Sequence, residues 1–316
     1  MLKKILINIF VCFLLVLVLD VSFFYLKKHE ILGDPLNGKS DISVEKWLQY
    51  RIFKNKYLDF DHRDFLQSKN YQIYLSNSTF SPIVVFGCSY AYGEFLRRKE
   101  TFASYIVKNF SRDVISFANL GWGAHHMLWL TKNDFMYKII DFEVVSPPKY
   151  AIYVYMQDHV ARQSSVRTVF YEVMPQISYY IDEGKLKERK YNLIHENLYR
   201  FFTYRYIVHF IDSKISISRK YDLLFSVIAE SKENFLKHYP DTNFIVLAYI
   251  MYDITSEEQE LFKKLETNGI RVIKTSELVN VDLSSDEYTA EDNAHPNGKA
   301  WEFITKKLWN FLEKES

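Results

Sequence analysis

The sequence predicts an α/β domain, a parallel sheet covered by helices on both faces. Three observations carry that expectation. Strand-like and helix-like segments alternate from Ile83 onward. The strand-like runs, such as Ile83-Val84-Val85-Phe86, are continuously apolar and β-branched, as in strands buried on both faces. Punctuation stands between segments: Ser146-Pro147-Pro148, Asn268-Gly269 and Pro296.

The first 28 residues stand apart. Met1-Leu2-Lys3-Lys4 leads into an apolar run over residues 5–26, closed by Lys27-Lys28. That run matches the roughly 20 residues a helix needs to cross a bilayer core. A cleaved signal peptide would have an apolar region of about 7–15 residues ending in small residues. Val21-Ser22-Phe23-Phe24-Tyr25 offers no such site, so residues 1–28 read as an uncleaved signal anchor, a single transmembrane helix. Asp20 lies near its end, where it can reach the interface beside Lys27 and Lys28. Lysines at both ends leave the positive-inside rule undecided. The likeness to signal anchors places the rest of the chain outside the cytoplasm, in the periplasm or an equivalent extracytoplasmic space.

Residues 29–81 read as a membrane-proximal lead-in. Gly33, Pro35, Gly38 and Ser40 mark a flexible exit, residues 42–53 a short amphipathic helix, and residues 71–75 alternate like a strand. Residues 82–316 form the main domain. Its strands are expected at 83–86, 113–117, 150–155, 243–249 and 270–273. Its helices are expected at about 100–110, 125–137, 257–267 and 297–312, the third stopping at Asn268-Gly269 and the last entered through Pro296. Residues 162–221, rich in Tyr, Phe and Arg, break the alternation and read as a largely helical insertion.

Composition narrows the function classes. Formal net charge is +1, so the basic footprint of a nucleic-acid-binding protein is not visible. The 24 Tyr and 25 Phe must occupy a core, a groove or a membrane-facing surface. The two cysteines, Cys12 in the expected span and Cys88 in the domain, are poorly placed to pair, so no disulfide is expected. No Walker loop or dinucleotide fingerprint occurs, and the adjacent His125 and His126 point about 100° apart on a helix. Neither a metal nor an organic cofactor is expected.

The chemistry sits near the two ends of the domain. Gly87-Cys88-Ser89-Tyr90-Ala91-Tyr92-Gly93 follows the first expected strand, and a serine on such a turn can expose its hydroxyl at the sheet edge. A serine hydroxyl is a weak nucleophile and needs a positioned base. Asp292-Asn293-Ala294-His295-Pro296-Asn297, before the last helix, supplies a His to take the proton and an Asp to fix its tautomer. Cys88 reads as a small packed hydrophobe.

With these motifs the chain resembles the SGNH (GDSL-type) hydrolase superfamily, whose serine follows the first strand and whose Asp-x-x-His lies near the C-terminus. The resemblance covers about residues 83–312, with Cys88 where the family usually carries Asp. It implies a flavodoxin-like three-layer fold, nucleophile Ser89, base His295 and orienting Asp292. The family's glycine motif looks like Asn119-Leu120-Gly121-Trp122-Gly123, so an amide of Gly121 or Gly123 is implied as oxyanion donor, and spacing does not choose between them. The family's Asn after the third strand is replaced by Gln157, in Gln157-Asp158-His159 followed by Arg162, and Gln157 is the matching oxyanion candidate. That run, like His125-His126-Met127-Leu128, is similar to variants in some bacterial members. The reading is a membrane-anchored serine esterase acting on an acyl ester of an envelope glycan or lipid. The alternatives are an O-acyltransferase modifying an envelope polysaccharide and a catalytically silent envelope scaffold. The aromatics of residues 170–206, Tyr179 and Tyr180 among them, read either as a packed insertion or as a sugar-stacking wall.

Overall fold

The computed structural model of the chain describes residues 18, 71–76, 80–143, 146–164, 178–189 and 214–313. The expected anchor over residues 1–28 (save Val18, which is helical) and most of the lead-in over 29–81 lie outside the described residues. Among the described residues no helix is long and apolar enough to cross a membrane.

Six strands make the main sheet: β1 (Gln72–Tyr74), β2 (Ile83–Phe86), β3 (Val114–Ser116), β4 (Tyr150–Tyr155), β7 (Asn243–Ala248) and β8 (Arg271–Lys274). Their spatial order is β1-β3-β2-β4-β7-β8. The edge strand β1 pairs antiparallel with β3, and the other neighbours pair in parallel. In chain order the parallel strands therefore run 2-1-3-4-5, the flavodoxin-like doubly wound arrangement. Its direction reverses at β2, between β3 and β4.

The continuous apolar strands explain the layering, because successive side chains feed opposite faces. Val84, Phe86, Ala151, Tyr153 and Tyr155 enter one core. There they meet helices α3 (Ala124–Thr131), α4 (Asp134–Glu143), α6 (Ile217–His238) and α7 (Ser256–Thr267). Ile83, Val85, Tyr150, Ile152 and Val154 enter the other, under α2 (Phe102–Phe110) and α9 (Gly298–Glu313). Here α1 (Ser89–Tyr92), α5 (His159–Ser164) and α8 (Thr275–Leu278) are short.

Two expected elements differ. The helix expected over 125–137 is two helices, α3 and α4. Asn133 donates its side-chain amide to the Trp129 carbonyl and its backbone N–H to Leu130, closing α3 before Asp134 opens α4. The insertion expected to be largely helical contains a hairpin, β5 (Ser178–Asp182) and β6 (Lys185–Arg189), paired antiparallel. Glu183 and Gly184 both have positive φ, 49° and 74°, the conformation of a two-residue type I′ turn. The remainder of that insertion, apart from the ends of α5 and α6, lies outside the described residues. The 22-residue α6 was not anticipated, although Leu224, Val227, Ile228, Ser231 and Phe235 bury one face at helical spacing.

Gly93 ends α1 at φ 87°, and a Cβ there would fall 2.5 Å from Thr101 Cγ2. Thr101 is not free to give way, since its hydroxyl caps α2 by accepting from Ser104 N–H. Gly93→Ala is expected to cost about 1–3 kcal/mol. Thermal unfolding checks this: Tm should fall by several degrees, and an unchanged Tm would show the turn to be unstrained.

Candidate active site

Strand β2 ends at the carboxyl edge of the sheet, at the point where strand order reverses, and Ser89 follows it after two residues. Open α/β sheets form their sites there. Cys88 is the extended N-cap of α1, so Ser89 stands in the first turn. Gly87 permits this tight fold-back: a Cβ there would lie 2.8 Å from the Ala91 Cβ and 3.3 Å from Val154.

His295 and Asp292 arrive on the loop before α9. Thr289 and Pro296 form a β-bridge, and Ala290 N–H donates to the His295 carbonyl at 2.7 Å. Asn297 secures the exit, donating its side chain to the carbonyls of Glu287 and Thr289 and accepting from Ala300 N–H. Asn293 adopts φ 54° at the tip. Asp292 Oδ1 then accepts the backbone N–H of Ala294 at 3.2 Å and of His295 at 3.0 Å. From α1, the Tyr90 hydroxyl donates to the Ala294 carbonyl at 2.5 Å, stitching the loop to the serine's own helix.

The result is a linear relay. Asp292 Oδ2 lies 2.5 Å from His295 Nδ1, and His295 Nε2 lies 2.8 Å from Ser89 Oγ. A carboxylate facing Nδ1 requires a proton there, which leaves Nε2 facing the hydroxyl. Burial pushes the His295 pKa down, but its hydrogen bonds to Glu94 and Asp292 and their charges outweigh it, and the net shift is upward. Burial raises Asp292, yet the His295 and Ala294 amides and the imidazole bring it below the ordinary carboxylate value.

The three oxyanion candidates separate. Gly123 donates its amide N–H to His126 Nδ1 at 3.2 Å. Gly121, at φ 68°, has an amide without a hydrogen-bond partner among the described residues. Gln157 is exposed and donates Nε2 to Glu258 Oε2 at 3.0 Å; no hydrogen bond joins it to Ser89 or His295. The longer side chain reaches α7, where Glu258 also accepts from Tyr155 and Thr255. Arg162 ties the two loops together instead, donating Nη1 to the Trp122 carbonyl at 3.1 Å.

Behind the serine the surroundings are buried. Cys88 is fully enclosed with its Sγ 3.4 Å from Met156 Sδ, and burial raises its thiol pKa, which disfavours thiolate chemistry. Burial, with Arg162 adding to it, lowers His125 to about 3, and His159 is likewise held neutral. Among the described residues no group of three His, Cys, Asp or Glu could hold a metal ion.

One site residue escaped the sequence reading. Glu94 Oε2 lies 3.2 Å from His295 Nε2, beside the serine. Its signal was faint: a carboxylate directly after the Gly93 that ends a one-turn helix. Phe95, next to it, rests its ring 5.3 Å from the imidazole.

The sequence matches no family model and no curated protein. Similar solved structures include a G-D-S-L family protein from Desulfitobacterium hafniense DCB-2, at 7% identity and TM-score 0.42, over 73% of this chain and 99% of that one. Another is the acetyl xylan esterase Est2A from Butyrivibrio proteoclasticus, at 14% identity and TM-score 0.45, over 75% of this chain and 64% of that one. A third is a family two carbohydrate esterase from Clostridium thermocellum, at 10% identity and TM-score 0.40, over 75% and 65%. The chain thus spans less than two thirds of either esterase. At these identities and TM-scores the functional reading rests on the geometry of the site.

If the relay is catalytic, Asp292→Asn removes the acceptor that holds the proton on Nδ1. Turnover of a p-nitrophenyl ester is then expected to fall by about 10⁴-fold. A loss below tenfold would reduce Asp292 to a loop-shaping role.

Proposed function

We propose that this chain is a serine esterase of the SGNH type, cleaving an acyl ester through an acyl-enzyme. One observation carries the reading: residues from the two ends of the domain meet as Ser89 Oγ, His295 and Asp292 at 2.8 and 2.5 Å. A silent scaffold has no need of this register.

In the proposed reaction, Ser89 Oγ attacks the acyl carbon while its proton passes to Nε2 of His295. The carbonyl oxygen becomes an oxyanion held by the amides of Ser89 and Gly121, neither of which has another acceptor among the described residues. Collapse breaks the ester C–O bond, and the leaving alcohol takes the proton from Nε2. Neutral His295 then deprotonates water, which attacks the acyl-enzyme, releases the acid and restores Ser89.

The proposed setting is the cell envelope, with residues 1–28 as a single-pass anchor, the domain on the extracytoplasmic side, and a glycan or lipid carrying the ester. Support for the anchor is the apolar run over residues 5–26 between paired lysines. Protease added to spheroplasts should degrade the domain, and a protected domain would reverse the orientation.

A serine-directed phosphonate probe tests the nucleophile. Wild-type protein and Cys88→Ala should label, and Ser89→Ala should not. Labelling lost with Cys88 but kept without Ser89 would overturn the assignment. Once labelling is established, the products from a simple ester identify the acceptor. Free acid as the main product with envelope polysaccharide present supports hydrolysis, whereas acylated polysaccharide would make the chain a transferase.

A further inference from the structure

His295 Nε2 has two neighbours where a Ser-His-Asp relay needs one. Ser89 Oγ lies at 2.8 Å and Glu94 Oε2 at 3.2 Å. Asp292 already claims the proton on Nδ1. If Nε2 were a bare lone pair it would face an ionised carboxylate, lone pair against lone pair. A proton on Nε2 turns that repulsion into a charge-assisted hydrogen bond.

The backbone holds Glu94 there. Its N–H donates to the carbonyl of Ser89 at 3.0 Å, and Leu96 N–H donates to Gly93. Phe95 adopts φ 68°, a costly conformation for a bulky side chain, and leaves its ring 58% exposed against the imidazole. Among the described residues the other groups facing His295 carry no competing charge: Ser89, and Tyr90, whose buried hydroxyl donates to Ala294 and stays protonated.

We propose that Glu94 is a positioning residue that holds a second proton on Nε2 of His295, so that the resting site is an imidazolium clamped between two carboxylates. The site becomes a base only when that proton leaves to solvent. During serine attack the proton passing from Oγ to Nε2 rebuilds the clamped imidazolium, so Glu94 also favours the charge that develops. This role rests on reading Ser89 and His295 as nucleophile and base.

Two measurements on the full chain test it. In the first, the His295 ring is followed by NMR titration in wild type, Glu94→Gln and Glu94→Ala, with His295→Gln used for assignment. The wild-type midpoint should lie above the ordinary value of about 6.5, and both variants should titrate about one unit lower. Coincident midpoints would overturn the proposal. In the second, kcat/KM for a p-nitrophenyl ester is profiled against pH. The acid limb of Glu94→Gln should move down by about one unit while its alkaline plateau falls about threefold, so the curves cross. Superimposed profiles would also overturn it. The NMR arm is independent of turnover. Midpoints lowered in both Glu94 variants of a protein that no serine probe labels would sink the esterase reading and leave the Glu94 clamp standing. A labelled protein with unmoved midpoints would do the reverse.

Discussion

The hydrogen bond from Ser89 to His295 joins residues 206 positions apart, and most of the architecture serves to keep it at 2.8 Å. A proton-transfer pair tolerates little displacement, since misplacement by about 1 Å can cost a factor of about 100 in rate. The serine side is set by the sheet. Strand β2 is central, paired in parallel on both sides, and its four residues are all buried. The histidine side is set by α9, whose Trp301 packs on Phe102 of α2 at 4.7 Å and whose Thr305 accepts from Asn109 at 2.9 Å. Since α2 follows the serine turn closely in sequence, the core beneath these two helices determines how far Ser89 lies from His295.

The electrostatics divide along the same line. Behind the serine, where Cys88, His125 and His159 are fully enclosed, burial keeps the titratable groups neutral. The half-buried Arg162 is the charged group among them, and its guanidinium braces the glycine loop through the Trp122 carbonyl. In front of the serine the carboxylates Asp292 and Glu94 flank a single imidazole. In the proposed reaction protons are therefore exchanged on the side open to substrate and solvent.

Much of this was legible in the sequence because the decisive signals are local. Continuous apolar runs located β2 and β4 to the residue, since strands buried on both faces admit little else. The stop at Asn268-Gly269 was legible because Gly269 takes φ 68° there, which few other residues accept. The Asp-x-x-His loop was legible because its geometry is short-range: Asp292 accepts the backbone N–H of the histidine that it also orients. What escaped depends on contacts that residue type alone does not announce. Gly123 and Gly121 look alike in sequence, and only the turn of His126 back onto Gly123 separates them. Gln157 reads as an amide donor until Glu258, 101 residues on, takes it. The hairpin at 178–189 was hidden for another reason: its turn is Glu183-Gly184, and Glu is a poor signal for the positive φ it adopts.

The two carboxylates on His295 are not equivalent, and the difference says what each can do. Asp292 is committed by its own loop, accepting from two backbone amides and from Nδ1. Moving it would unmake the turn that carries the histidine. Among the described residues Glu94 is anchored through its backbone, while its side chain keeps 33% exposure and meets Nε2 of His295. Asp292 is thus built to stay and Glu94 to yield. An alcohol or water that must reach Nε2 needs the space beside Ser89 that Glu94 occupies. In the proposed reaction the orienting acid stays fixed by its loop, and the group resolving the acyl-enzyme would compete with Glu94 for the same nitrogen.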